Sequence, residues 1–185
     1  MTTKHQPQAN EGARPGFALA GTAPFLVLAP SGVAGLVPWW ISRWQFHAPF
    51  RGYPPLRVIG VVLIAAGTYV VLDSFARFAL QGLGTPAPVV PTRHLVVKGF
   101  YRYVRNPMYV AVVAVILGQA VLFGDVRVLE YTLFAWLAAH LFVLAYEEPT
   151  LRKTFDAEYE SFCANVPRWI PRVTPWRGGT APGES

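Results

Sequence analysis

Two short stretches hold most of the side chains that could do chemistry. "GFYRYVRNPMYV", Gly99 to Val110, sets three tyrosines and two arginines around an Asn-Pro. "AYEEPTL", Ala145 to Leu151, sets two adjacent carboxylates in front of a proline. Asn106 suits a helix N-cap and Pro107 the first helical position, so a helix is predicted to start there. Its free N–H groups and positive dipole end suit a carboxylate or a phosphate. Glu147 and Glu148 suit hydroxyls, an amine or a cation. Two acids at a helix C-terminus oppose the helix dipole, so local stability does not call for them. Pro149 biases Glu148 away from helical geometry, and the helix is predicted to end there. A ligand meeting both stretches carries an anionic end and a hydroxyl- or amine-bearing end. S-adenosylmethionine fits that description, and NADPH fits it in part; the residue types alone do not separate them.

The elements that must position these stretches are apolar. The chain has 185 residues, 53% of them hydrophobic and only 14% charged, against the usual quarter charged. That composition points to one membrane-embedded domain. Net charge is +6, with basic residues clustered in loops and near the C-terminus. No Lys/Arg block interleaves with aromatics in the manner of a nucleic-acid surface, so no nucleic-acid partner is expected. The basic loops read instead as the cytoplasmic side of a membrane protein, with the lipid bilayer as partner. A lone cysteine, Cys163, excludes an internal disulfide, and without a CxxC no metal site is expected.

Four apolar segments emerge: Gly16 to Ile41, broken by Pro24, Pro30 and Pro38; Leu56 to Leu80, interrupted late by Asp73 and Arg77; Pro107 to Phe123; and Leu129 to Tyr146. A spanning helix needs about 20 apolar residues. None of the segments alternates with period two, which argues against a barrel. The expected fold is therefore all-α: an integral membrane protein of about four transmembrane helices, with a C-terminal helical hairpin and an amphipathic tail helix. Gly124-Asp125 reads as the hairpin turn. Leu151, Phe155, Tyr159 and Phe162 give the tail helix one apolar face. Residues 16–172 form the expected single domain, with the ligand-binding half at about 92–172. Residues 1–15 and 173–185 are expected to be disordered tails, and the first of them lacks the apolar core of a cleavable signal. Four spans place the Gln81–Asn106 loop and both termini on the cytoplasmic side, leaving Arg43, Arg51 and Arg57 facing outward. The hairpin returns Glu147 and Glu148 beside Arg105, with Asp73 and Arg77 near the same membrane face. Ionisable groups at such depth are functional candidates.

In its C-terminal half, from about His94 to Pro171, the chain resembles the isoprenylcysteine carboxyl methyltransferase family and its phospholipid methyltransferase relatives. The resemblance is carried by "HLVVKGFYRYVRNPMYVA", then an apolar hairpin and "EE", then "FDAEYESFCANVPRWIP". It implies a S-adenosylmethionine site drawing on His94, Leu95, Val96, Gly99, Tyr101, Arg105, Asn106, Pro107, Tyr109, Glu147 and Glu148. Asn106 stands where the family usually has histidine, and Ala111 where it has glycine. The implied enzyme transfers a methyl group to a lipophilic or small acceptor, a carboxylate, thiol or amine. Arg105 is the expected catalytic residue that orients an anionic group, and Glu148 the one that holds the cofactor's polar end. Two alternatives stand beside it: a nicotinamide-dependent reductase of sterol-reductase type, which shares the R-x-P-x-Y stretch, and a non-catalytic protein that keeps the fold. Outside the motifs, Gln119 is expected to pair between helices, and His140 to be a packed, hydrogen-bonded residue.

Overall fold

The computed structural model describes residues 30–80 and 97–177, all helical or irregular. A π-helical turn, Gly32–Leu36, runs into α1, Val37–Ser42. The long α2 spans Leu56–Leu80, α3 Pro107–Phe123 and α4 Val126–Phe142. A second π turn, Val143–Glu147, joins α4 to α5, Glu148–Asn165. An irregular segment, residues 166–177, follows α5 and is called the strap below.

The bounds of α2 and α3 coincide with the apolar runs that the sequence marks out. Pro107 occupies the first position of α3, and Gly124 ends it with φ 68°. A Cβ at Gly124 would collide with the Ala48 carbonyl. Asp125 then caps α4 by accepting the Arg127 backbone N–H at 2.9 Å. This two-residue turn makes α3 and α4 the expected hairpin. On its other side α3 packs against α2 at unusually short range. A Cβ on Gly60 would lie 2.7 Å from the Gly118 carbonyl oxygen, and one on Gly118 would lie 2.7 Å from that of Gly60. A Cβ on Gly67 would lie 2.7 Å from the Ala111 carbonyl oxygen. The partners run in opposite directions along the two helices, so α2 and α3 are antiparallel. Small residues at interfaces let helix backbones approach this way in membranes.

Polar side chains tie the first helical segment and the first loop to the bundle, although the buried Nε of Arg57 has no partner among the described residues. Gln119 donates to the Ala34 carbonyl at 2.6 Å and accepts from the Trp44 indole at 3.2 Å, which ties the first helical segment to α3. In the first loop, Arg43 lies over the Trp39 ring and Arg57 donates to the His47 carbonyl at 2.8 Å.

Leu56–Ala76 and the helical run Val126–Asn165, which is kinked at Asp156 with φ 39° and ψ −113°, are long and apolar enough to cross a membrane, and only 17% of the most apolar window of each is buried. Leu133, Phe134, Leu137 and Leu141 on α4 are exposed, as are Val58, Val61 and Val62 on α2. A water-soluble surface does not carry apolar faces of this extent. The molecule is an integral membrane protein. Gly32–Ser42 and Pro107–Phe123 are shorter apolar helices.

The predicted helix end at Glu148 does not occur. Glu148 is helical, with φ −61° and ψ −44°, and α5 continues directly through Pro149. A proline inside a helix lacks an N–H and crowds the carbonyl four residues back. The π turn accommodates it: the Glu148 N–H reaches five residues back to Val143, widening the helix just ahead of the proline. Beyond it, Tyr159 and Phe162 with Val166 form a buried cluster against Leu151, Phe155 and Trp176. The docked strap therefore runs past Arg172, where the sequence suggests that the domain ends.

Candidate functional site

The site lies where α3 begins and the α4–α5 run carries its π turn. Gly99, at φ 56°, takes the left-handed conformation that opens the 3-10 turn Gly99–Arg102. This turn and the N-terminus of α3 supply Tyr101, Arg105, Asn106 and Tyr109. The π turn ends on Glu147, and α5 opens with Glu148 followed by Arg152.

The two glutamates point to different partners. Tyr109 donates its hydroxyl to Glu147 Oε2 at 3.0 Å. Tyr101 also lies within electrostatic reach of Glu147; burial first, and that carboxylate second, push its phenol well above the usual tyrosine range. Tyr101 is therefore a neutral hydroxyl at any physiological pH. Glu148 is 6% exposed and surrounded by arginines. Arg168, from the strap, grips it with both nitrogens, Nε to Oε1 at 2.6 Å and NH2 to Oε2 at 3.0 Å. Arg105 donates NH1 to Oε1 at 3.1 Å. Arg152 stands 4.0 Å from Oε2 and divides its charge with Glu160, at 3.3 Å.

Three guanidiniums meet at Glu148, with Glu160 answering Arg152 and Glu147 next in the chain, so the charges in the cluster are matched. What Arg105 leaves open is a matter of geometry. Its side chain is 11% exposed. NH1 serves both Glu148 and the Cys163 sulfur, the latter at 2.9 Å, while its buried Nε has no partner among the described residues. Buried donors are nearly always paired. This one is unmet among the described residues, and an acceptor from outside the protein would reach it only as its present cover moves aside.

The sequence-predicted set is thus partly assembled. Tyr101, Arg105, Asn106, Tyr109, Glu147 and Glu148 converge; Pro107 is buried at the head of α3, and Gly99 shapes the turn before it. His94, Leu95 and Val96 lie outside the described residues, as does the side chain of Arg77. Asp73 lies on α2. Sequence reasoning did not bring Arg168 into the site. Trp169 donates its indole N–H to His140 Nδ1 at 3.0 Å, pinning the strap to α4. The clue to Arg168 was a second arginine beyond the acid pair in "VPRWIP", with no local acid to answer it.

Asn106 sits at the N-cap position, but its side chain makes no capping bond. Pro107 has already removed one of the N–H groups that a cap would satisfy. The side chain turns outward and donates Nδ2 to the Arg168 carbonyl at 3.2 Å. Position 106 therefore needs a donor rather than an acceptor. Asn106→His, with a ring N–H, is expected to melt close to the natural protein. Asn106→Leu leaves the carbonyl without this partner and is expected to lose about 1–3 kcal/mol. Thermal unfolding of the three proteins in one detergent checks this order; equal melting of Leu and Asn would refute it.

An apolar cavity of about 320 Å³ adjoins this cluster, between α2, α3 and the 3-10 turn. Gly67, Val70, Phe100, Tyr103, Pro107 and Ala111 are among its walls. Ala111, in the place of the expected glycine, is still small enough to face Gly67.

Comparison with known proteins adds one positive finding. A family model described as phospholipid methyltransferase matches residues 56–158, from the start of α2 into α5 and just over half of the chain. Among curated proteins nothing matches the chain.

Proposed function

The chain belongs to the phospholipid methyltransferase family, and from that premise we propose an S-adenosylmethionine-dependent enzyme that methylates a lipophilic or small acceptor. The observation that carries this reading is Arg105, a buried guanidinium on Glu148 whose Nε has no partner among the described residues. The donor set suits the cofactor: Arg105 for a carboxylate, Glu147 between two tyrosines for an ammonium or ribose hydroxyls. When bound, S-adenosylmethionine supplies an electrophilic methyl group on a sulfonium.

The protein's own part is positioning. Arg105 would orient the cofactor carboxylate or an anionic acceptor, and Glu148 holds Arg105 in place. Fixing two reactants in line contributes about 7–11 kcal/mol at best. Positive charge disappears from the sulfur on transfer, so apolar walls such as Val70, Phe100 and Pro107 favour the reaction by excluding water. A carboxylate or thiolate acceptor arrives without a proton to lose, and no side chain has to serve as base. An amine acceptor would release its proton after transfer. The neighbouring apolar cavity supports an acceptor that enters from the bilayer.

Calorimetry on the purified protein in detergent tests the cofactor. Saturable binding of S-adenosylhomocysteine without binding of NADPH is expected; the reverse result would refute the reading. The proposal places the site on the cytoplasmic face, on the strength of the basic loop and tail. Cysteines introduced at Thr92 and Thr180 are then expected to react with an impermeant reagent from the same side of the membrane. Labelling from opposite sides would overturn that topology.

A further inference from the structure

The family match ends at residue 158, and the strap lies beyond it. The strap is nevertheless bonded to the head of α3 at several points. The Arg105 N–H donates to the Pro167 carbonyl at 2.9 Å, and the Asn106 side chain to that of Arg168 at 3.2 Å. Farther along, the Arg172 N–H donates to the Tyr103 carbonyl and the Trp176 N–H to that of Arg102, both at 2.9 Å. From this backbone Arg168 sends its side chain to Glu148. A single residue thus joins the Arg-Asn-Pro stretch to the acid pair.

Its grip limits what Arg105 can do. Guanidinium and carboxylate prefer two parallel hydrogen bonds. Arg168 holds both oxygens of Glu148 in that manner. Arg105 is left with one nitrogen on Oε1, and its buried Nε stays unmatched among the described residues. Without Arg168, the carboxylate would be free to take the Nε–NH2 edge of Arg105 in the paired mode, the guanidinium turning over from its present NH1 contact. We infer that Arg168 is a positioning residue: by occupying Glu148 it keeps the Nε edge of Arg105 available to a ligand carboxylate. This rests on the cofactor reading above.

The test compares Arg168→Ala, Arg168→Lys and Trp169→Phe in the full-length protein in detergent, by S-adenosylhomocysteine calorimetry and thermal unfolding. Trp169→Phe loosens the strap at His140 without touching Glu148. Arg168→Ala is expected to weaken binding about tenfold or more. Lysine keeps the charge but not the two-nitrogen grip, and is expected to recover part of the affinity. Trp169→Phe is expected to bind within about twofold of the natural protein while losing some thermal stability. Natural affinity in Arg168→Ala overturns the inference. So does an equal loss in Trp169→Phe, because docking of the strap would then suffice. If Arg168→Ala does not survive purification, lysine decides, and affinity equal to the natural protein overturns the inference. Failure of the natural protein to bind S-adenosylhomocysteine refutes the cofactor reading, and the inference falls with it.

Discussion

Glu148→Gln will cost the protein both stability and ligand affinity. Glu148 is buried and answers Arg105 and Arg168 directly, with Arg152 at 4.0 Å. Glutamine retains the shape but not the charge, so these guanidiniums lose their common counter-ion. Breaking a buried ion pair from one side typically costs about 3–5 kcal/mol. Glutamine also turns one acceptor oxygen into an N–H₂ group facing arginine donors. The expected result is a clear drop in melting temperature together with weaker S-adenosylhomocysteine binding, because Arg105 loses its support. Glu148→Asp keeps the charge on a shorter arm and should fall between the two. Unchanged melting of Glu148→Gln in detergent would mean that the cluster is solvated and energetically idle. Glu147→Gln should differ in kind: its described hydrogen bond is from Tyr109, so stability should change less than affinity.

Gly118→Leu will separate α2 from α3. Even the first added carbon would lie 2.7 Å from the Gly60 carbonyl oxygen and 2.8 Å from Ile64 Cγ1. One of these neighbours is backbone and cannot turn aside. Overpacking a tight interface costs about 1–3 kcal/mol, and a carbonyl in the path puts leucine at the upper end. Ala111 and Pro107 on α3 line the cavity together with Gly67 on α2, so the displacement should also reach the site. Gly35→Ala is the matched control, since nothing lies within 4 Å of its added carbon. Thermal unfolding should show a large loss for Gly118→Leu and none for Gly35→Ala. A natural melting temperature in Gly118→Leu would exclude the close Gly60–Gly118 crossing.

What the sequence disclosed, and what it withheld, follows from the range of the forces involved. Leu56 to Leu80 and Pro107 to Phe123 were legible because polar or proline residues bracket uninterrupted apolar runs. Gly124-Asp125 was legible because a left-handed glycine followed by a cap leaves little choice of turn. From that turn it follows that Arg105 and the acid pair share one end of the hairpin. The course of the chain at Pro149 was misread, because proline usually stops a helix and the π turn that absorbs it has no composition of its own. The bond between Asn106 and the strap was invisible for another reason. Sequence names the groups that can cap a helix, but not the partner that outcompetes the cap. Arg168 is 20 residues from Glu148. Only the return of the strap across α3 brings them together, and no local pattern records that return.

The π turn at Val143–Glu147 has a bearing on ancestry. A π turn amounts to an α-helix with one residue inserted, and each residue of an α-helix turns the chain by about 100°. Five residues of the wider turn sweep about the angle that four sweep in an α-helix, so the π turn absorbs its extra residue locally. Deleting a single position between Val143 and Tyr146 would restore the regular helix and leave the later side chains close to their present bearing. The two carboxylates would still face Tyr109 and Arg105. Homologues that keep "EE" but are one residue shorter between the Gly-Asp turn and the acid pair are expected to keep this site on a regular helix.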